Sequence, residues 1–160
     1  GMSGCSDAKL AHDPQAAVEA TFSCLSSALS GANMIHDNGW LDHSTVVSPA
    51  YMVLVNEVLD MVNHYMRGIP LNPESMALEV MDSVGPAGHY LLEEHTMKHF
   101  REIWYSKLFD RSGKADWLAQ GSKGFEERLR ERTQKLMEHE PDPLPTTIVQ
   151  ELDNMAANWK

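Results

Sequence analysis

The chain has 160 residues, a formal net charge of −10 and 42% apolar residues, so it is long enough to bury the core of one domain. Its acidity and the absence of a Lys/Arg cluster argue against a nucleic-acid partner, because phosphate binding needs a basic patch. Its two cysteines have no CxxC spacing and predict a reducing, cytoplasmic environment, and the sequence has no run of about 18 apolar residues that would predict a membrane span.

Three helix starts are visible in the sequence, each a capping side chain followed by proline: Asp13-Pro14, Ser48-Pro49 and Asn72-Pro73. They predict helices over residues 14–29, 49–66 and 73–84. Apolar residues at helical spacing predict the inward faces of these helices: Val18, Phe22, Leu25 and Leu29 in the first, Met52, Val55, Leu59, Val62 and Met66 in the second, and Ala77, Val80, Met81 and Val84 in the third.

The remaining elements are also mostly helical. A fourth helix begins near Glu93, and further helices are predicted over 115–120, 122–139 and 146–159, the last with Val149, Leu152 and Met155 facing inward. Residues 32–35 are a short extended candidate, and a polar turn over 36–39 follows them. The sequence therefore predicts a mainly α fold with one or two short strands.

His36 and Asp37 form the first candidate site, because they directly follow the predicted strand over 32–35. In (β/α) barrels, residues just past the end of a strand lie at the active face. A histidine beside an aspartate can be held in one tautomer, able to donate to or accept from a substrate. The alternative is a capped turn with an exposed histidine.

The second candidate site follows the glycine-rich turn over 85–88 and contains His89, Glu93, Glu94, His95 and His99. His95 and His99 are four residues apart and share a helix face. The spacing is compatible with a transition metal that takes Glu94 or His89 as a third ligand, although an H-E-x-x-H motif is absent. The alternatives are a polar cluster facing a substrate, or hydrogen bonds that cap and connect helices.

Five segments resemble, in register and in order, the trimethylamine methyltransferase family: SDAK at 6–9, DPQAA at 13–17, GANMIHD at 31–37, GPAGHYL at 85–91 and HTMKHFR at 95–101. Members of that family are TIM-barrel enzymes that pass a methyl group from a methylamine to a cobalt corrinoid held by a separate partner protein. The resemblance implies that residues 3–105 are the last βα units of a TIM (β/α)8 barrel and that residues 106–160 are a C-terminal helical extension. It also implies that this chain itself binds no cofactor or metal.

The same resemblance places His36, Asp37, His89 and His95 as candidates for one side of the substrate pocket. The catalytic pyrrolysine of the trimethylamine-specific members is expected upstream of Met2, because an amber codon read as stop would restart the frame at a following methionine. A chain without it should be inactive alone, and an incomplete barrel should associate into a homo-oligomer through its uncovered apolar faces.

Three other interpretations of the sequence stay open. The chain is similar also to pyrrolysine-free glycine betaine methyltransferases, which belong to the same family. A free-standing helical domain could use its acidic surface to bind a basic partner. A small metal-dependent enzyme could use the histidines and glutamates at residues 89–99.

Overall fold

The computed structural model describes residues 3–159 and is mainly helical. Met2, at which the restart is expected, lies outside the described residues. The described elements are α1 (Pro14–Leu29), β1 (Trp40–Leu41), β2 (Val46–Val47), α2 (Pro49–Met66), α3 (Pro73–Met76), α4 (Leu78–Val84), α5 (Glu94–His99), a 3-10 helix (Phe100–Glu102), α6 (Lys114–Ala119), α7 (Phe125–Met137) and α8 (Thr146–Ala157). None of these helices is both long and apolar enough to cross a membrane.

The three predicted helix starts are confirmed. The side chains of Asp13, Ser48 and Asn72 each accept a hydrogen bond from a backbone amide in the first turn, and a proline occupies the next position. Each cap satisfies a donor that would otherwise have no partner at a helix N-terminus. These starts are correct because they depend on local chemistry alone.

The core lies where α1 packs against α2, but the predicted inward face of α1 is wrong. Val18, Phe22 and Leu29 are exposed, and only Leu25 of that stripe is partly buried against the core. The buried residues of α1 are small: Ala16, Ala20 and Cys24. The buried apolar residues of α2 are larger: Tyr51, Leu54, Val55, Val58 and Val62. Because interaxial distance depends on the side chains at the contact, small residues on α1 let the two helices approach closely.

The predicted strand over 32–35 is wrong as well, because those residues are irregular. A short antiparallel hairpin lies further along, with Trp40 opposite Val47 and Leu41 opposite Val46. Gly39 precedes it at φ +98°, and an added Cβ there would lie 2.3 Å from Met52 Cγ. In residues 3–159 this hairpin is the only sheet, so membership of a TIM barrel, which has parallel strands, stays a prediction.

The predicted helix over 73–84 is divided at Ala77, whose left-handed φ of 48° ends α3 and begins α4. The side chains of Asn72 and Ser75 form a reciprocal capping box at the N-terminus of α3, and the left-handed Ala77 ends the helix after a single turn. Of the predicted inward residues, Met81 is exposed and Ala77, Val80 and Val84 are partly buried. The fourth predicted helix is confirmed as α5, although it gives way to the 3-10 helix after His99.

The C-terminal helices differ in how they are packed. Leu129 and Thr133 of α7 are buried, and Leu129 belongs to the same core as α1 and α2. By contrast, α8 is exposed along its whole length, so the prediction that Val149, Leu152 and Met155 face inward is wrong in the described chain. The helix is amphipathic as expected, yet nothing in residues 3–159 covers its apolar face. The division of the chain at residues 105 and 106 stays a prediction.

Candidate functional site

The N-terminal loop, residues 3–9, is held between α1 and the hairpin by its polar groups. Ser6 Oγ donates a 2.6 Å hydrogen bond to Glu19 Oε2, which also accepts from the Asp7 amide at 2.8 Å. These hydrogen bonds, that of Ser6 above all, keep the pKa of the Glu19 carboxyl below its usual value. The Ser6 amide donates to the Trp40 carbonyl at 3.0 Å, which fixes the loop against β1.

His36 and Asp37 contact each other as the sequence suggests. His36 Nδ1 lies 2.7 Å from Asp37 Oδ2, and about half of the His36 side chain is exposed. A carboxylate at Nδ1 orients the ring and leaves Nε2 facing other partners. Because residues 32–35 are irregular, the pair lies in a loop that leads to the hairpin, and its expected position just past a strand is wrong.

Two further ion pairs join the N-terminal loop to the hairpin turn. His43 Nδ1 lies 2.9 Å from Asp7 Oδ1, and Lys9 Nζ pairs with the Asp42 carboxylate. The Lys9 hydrogen bond, followed by that of Thr45, lowers the pKa of the Asp42 carboxyl. We refer to these two pairs and the separate His36–Asp37 pair, all in the loops around the hairpin, as the loop cluster (Asp7, Lys9, His36, Asp37, Asp42 and His43).

The cysteines do not have the environment of a nucleophile. Cys24 is buried, Cys5 is partly buried, and both thiols are free. Burial raises the pKa of both thiols, which disfavours the reactive thiolate.

The second group of polar side chains lies where α3 meets α5. Glu74 Oε1 accepts from Lys98 Nζ at 2.6 Å and lies 3.1 Å from His99 Nε2. His95 Nε2 lies 2.8 Å from the Glu74 backbone carbonyl, and the His95 and His99 rings are 4.4 Å apart at their centroids. We call Glu74, His95, Lys98, His99 and Glu102 the α3–α5 cluster. The shared helix face of His95 and His99 is therefore confirmed.

Hydrogen bonds between oppositely charged groups shift the pKa values of three side chains in this cluster. Hydrogen bonds from Lys98 and then His99 lower the pKa of the Glu74 carboxyl to about 2. Hydrogen bonds to Glu102 and then Glu74 raise the pKa of His99, whose Nδ1 lies 3.0 Å from Glu102 Oε1. The pKa of Lys98 is raised by its hydrogen bond to Glu74. At neutral pH the cluster therefore holds a carboxylate against cationic or hydrogen-bonding nitrogen atoms.

The four predicted pocket residues do not form one group in the described chain. His36 and Asp37 belong to the loop cluster, His95 belongs to the α3–α5 cluster, and His89 is exposed and belongs to neither. An open depression of about 580 Å³ lies beside His95 and is lined mainly by α3 and α4. Glu74 was missed in the sequence because 21 residues separate it from His95.

A further long-range contact that the sequence did not reveal is made by the buried carboxylate of Glu57. Its Oε1 accepts from Ser106 Oγ and from the Lys107 amide at 2.7 Å. This contact ties the segment after α5 to α2 and places Leu108 in the core.

Comparisons with known proteins identify relatives of the chain. Residues 2–160 match the family model of trimethylamine methyltransferase. The chain is 38% identical over 146 residues to trimethylamine methyltransferase MttB of Desulfitobacterium hafniense, which covers 91% of this chain and 29% of the relative. It is 34% identical over 148 residues to trimethylamine methyltransferase MttB2 of Methanosarcina mazei, covering 92% of this chain and 30% of that relative.

A relative that is named for a different substrate also matches. The glycine betaine methyltransferase of Desulfitobacterium hafniense is 34% identical over 116 residues, which covers 71% of this chain and 24% of that protein. The chain thus spans less than a third of the length of the curated relatives that it matches.

Proposed function

Because this chain belongs to the trimethylamine methyltransferase family, we propose that it forms the C-terminal part of a methyltransferase that uses a methylated amine as methyl donor. The observation that carries the proposal is the family match over residues 2–160. In the complete enzyme, the methyl group would pass to the cobalt of a corrinoid. A separate partner protein would carry this corrinoid, and the corrinoid-loaded partner would be the second substrate of the reaction. Alone, the chain would be inactive.

The large surface of the chain supports the proposal that another part of the enzyme covers it. Its accessible surface is 12330 Å², whereas a compact monomer of 17.9 kDa should expose about 8,000 Å². Many large apolar side chains are exposed, and Phe22, Leu71 and Leu92 are among those that are mostly exposed. An excess of about 4,000 Å² on one chain is several times the roughly 800 Å² that each partner of a standard interface buries, which favours an obligate interface over a transient contact.

We also propose that His36, Asp37, His89 and His95 line one side of the substrate pocket once the remaining part of the enzyme is in place. The His36–Asp37 contact of 2.7 Å gives one imidazole a defined orientation toward a bound molecule. His95 borders the depression beside α3 and α4, which is open and lacks a second wall in residues 3–159. An incomplete pocket agrees with an inactive isolated chain.

The glycine betaine branch is the alternative that a specific observation favours. The relative named for glycine betaine shares 34% identity over 116 residues, close to the value for one of the trimethylamine relatives. A free-standing helical interaction domain is the other alternative, and it would need no upstream segment.

The first experiment is to sequence the genomic DNA upstream of the Met2 codon. An in-frame TAG codon that joins a long upstream open frame encoding the rest of the barrel would support the pyrrolysine-containing branch. A sense codon at that place would support the glycine betaine branch. An intergenic region with its own ribosome-binding site would contradict both and support the free-standing domain.

The joined protein should then be assayed with trimethylamine and with glycine betaine, in the presence of the corrinoid protein. Methylation of the corrinoid changes its visible spectrum and reports the transfer directly. The matched control is the 160-residue chain alone, for which we expect no transfer with either substrate. Turnover by the chain alone would contradict the proposal.

A further inference from the structure

The α3–α5 cluster contains three side chains arranged as metal ligands. One ligand atom each from Glu74, His95 and His99 lies within 4.8 Å of the other two. The two histidines come from one face of α5, and the glutamate comes from α3. All three side chains are at least partly exposed, so an ion could reach them from solvent.

The distances between these atoms are close to those of a bound site. In a tetrahedral zinc site with bonds of about 2.0–2.1 Å, neighbouring ligand atoms lie about 3.4 Å apart. Because the three ligand atoms all lie within 4.8 Å of one another, no pair of them would have to approach by more than about 1.4 Å to reach that spacing. Side-chain rotation at the surface can supply such a movement without changing the backbone of α3 or α5.

The ligand types also match one kind of metal. Two imidazoles and one carboxylate form the set that holds catalytic zinc, with a fourth position left open for water or a substrate. The contact between His99 Nδ1 and Glu102 Oε1, at 3.0 Å, leaves Nε2 facing the cluster. A carboxylate that holds the far nitrogen of a metal-binding histidine fixes its tautomer and strengthens the ligand.

A cation already lies beside the carboxylate. Lys98 Nζ is 2.6 Å from Glu74 Oε1, so the cluster pairs its carboxylate with an ammonium group when no metal is bound. The ammonium and a metal ion would compete for the same oxygen atom. This competition gives the inference a test that a purely structural ion pair would fail.

We propose that Glu74, His95 and His99 bind one Zn²⁺ ion at the surface of α3 and α5, with Glu102 as a positioning residue and the fourth coordination position open. The proposal does not depend on the methyl-transfer function. The interpretation of the sequence that took Glu94 or His89 as the third ligand is replaced, because Glu74 supplies the carboxylate. His89 and Glu94 are both exposed and lie outside the cluster.

The test is a titration of the metal-free 160-residue chain with Co²⁺, whose visible absorption becomes intense in tetrahedral sites, followed by displacement with Zn²⁺. We expect one saturable site per chain. Glu74→Gln, His95→Ala and His99→Ala should each abolish it. The matched controls Glu94→Gln and His89→Ala, on the same segment but outside the cluster, should leave it unchanged.

Two further variants separate metal binding from a structural role. Lys98→Gln should bind metal severalfold more tightly, because the competing ammonium is gone. Glu102→Gln should weaken binding by about 10-fold to 100-fold with unchanged stoichiometry. Far-UV circular dichroism of every variant checks that the helices remain. Absence of saturable binding at millimolar Co²⁺, or binding that survives in all three ligand variants with native helicity, would overturn the proposal.

Discussion

Substitution of Glu57 should destabilise the chain more than substitution of any other single polar side chain discussed above. The carboxylate is 5% exposed and its Oε1 accepts from Ser106 Oγ and from the amides of Lys107 and Leu108, at 2.7 and 3.4 Å for the two amides. The Leu108 bond is long, which leaves two good bonds to a charged acceptor, at about 1.5–3 kcal/mol each. Glu57→Ala should therefore lower the free energy of unfolding by about 3–6 kcal/mol.

This loss is large compared with the stability of an ordinary domain, which is about 5–15 kcal/mol. Glu57→Gln keeps one carbonyl oxygen and loses the charge, so about 1–3 kcal/mol should be lost. Urea unfolding followed by circular dichroism, at one fixed protein concentration, measures both values. Hydrogen exchange should show that the amides of Lys107 and Leu108 lose protection in both variants.

The matched control is Asp60→Asn, one turn further along α2. Asp60 Oδ2 accepts a single 3.1 Å hydrogen bond from Trp104 Nε1, and asparagine keeps an acceptor there. Its cost should stay below about 1 kcal/mol. If Glu57→Ala changes the unfolding free energy no more than Asp60→Asn does, the account of the buried carboxylate is refuted.

The remaining predictions concern the α3–α5 cluster, the core and the assembly state. NMR titration should give His99 a pKa above about 6.5, and Glu102→Gln should lower it. The contribution of His99 to folding stability is complete at pH values below the pKa of histidine in the unfolded chain, and it is lost as the pH rises through the raised pKa of the folded chain. The contribution of Glu74 has the opposite sign of pH dependence and is lost as the pH falls toward its folded-state pKa of about 2. Leu54→Ala should cost about 2–5 kcal/mol in urea unfolding, whereas Phe22→Ala, at an exposed position, should stay within about 0.5 kcal/mol; equal costs would contradict the described core. Light scattering at micromolar concentration should show a dimer or larger species, and a monomer would contradict the inference from the exposed apolar surface.

The helix boundaries could be predicted because their signals are local. A capping side chain followed by proline acts within one turn, and all three such starts are present in the structure. The break at Ala77 could not be predicted in the same way. It depends on the left-handed backbone of Ala77, and alanine itself gives no sign of that conformation.

The candidate site was predicted in its parts but not in its assembly. Adjacent residues such as His36 and Asp37, and residues one helical turn apart such as His95 and His99, are neighbours whatever the tertiary fold. Glu74 and Glu57 reach their partners across 21 and 49 or more residues, and no sequence period records such contacts. Long-range partners of a charged residue follow only from the packing of the helices that carry them.

The exposed apolar faces of α1 and α8 explain why the predicted core was wrong, and they also support the proposed function. Full burial of a Val, Leu or Phe side chain contributes about 1.5–3 kcal/mol, so a helix that packs in one direction should turn its largest residues inward. Instead α1 turns Ala16 and Ala20 toward α2 and leaves Phe22 exposed, and α8 leaves Leu152 exposed. Periodicity found amphipathic faces correctly but assigned them to the core of this chain. We expect exposed apolar side chains at regular helical spacing where another protein segment packs against the helix. The relatives are more than three times as long as this chain, so they contain such additional segments. The same stripes that gave a wrong core are therefore the best candidates for the surface that the proposed remainder of the enzyme would cover.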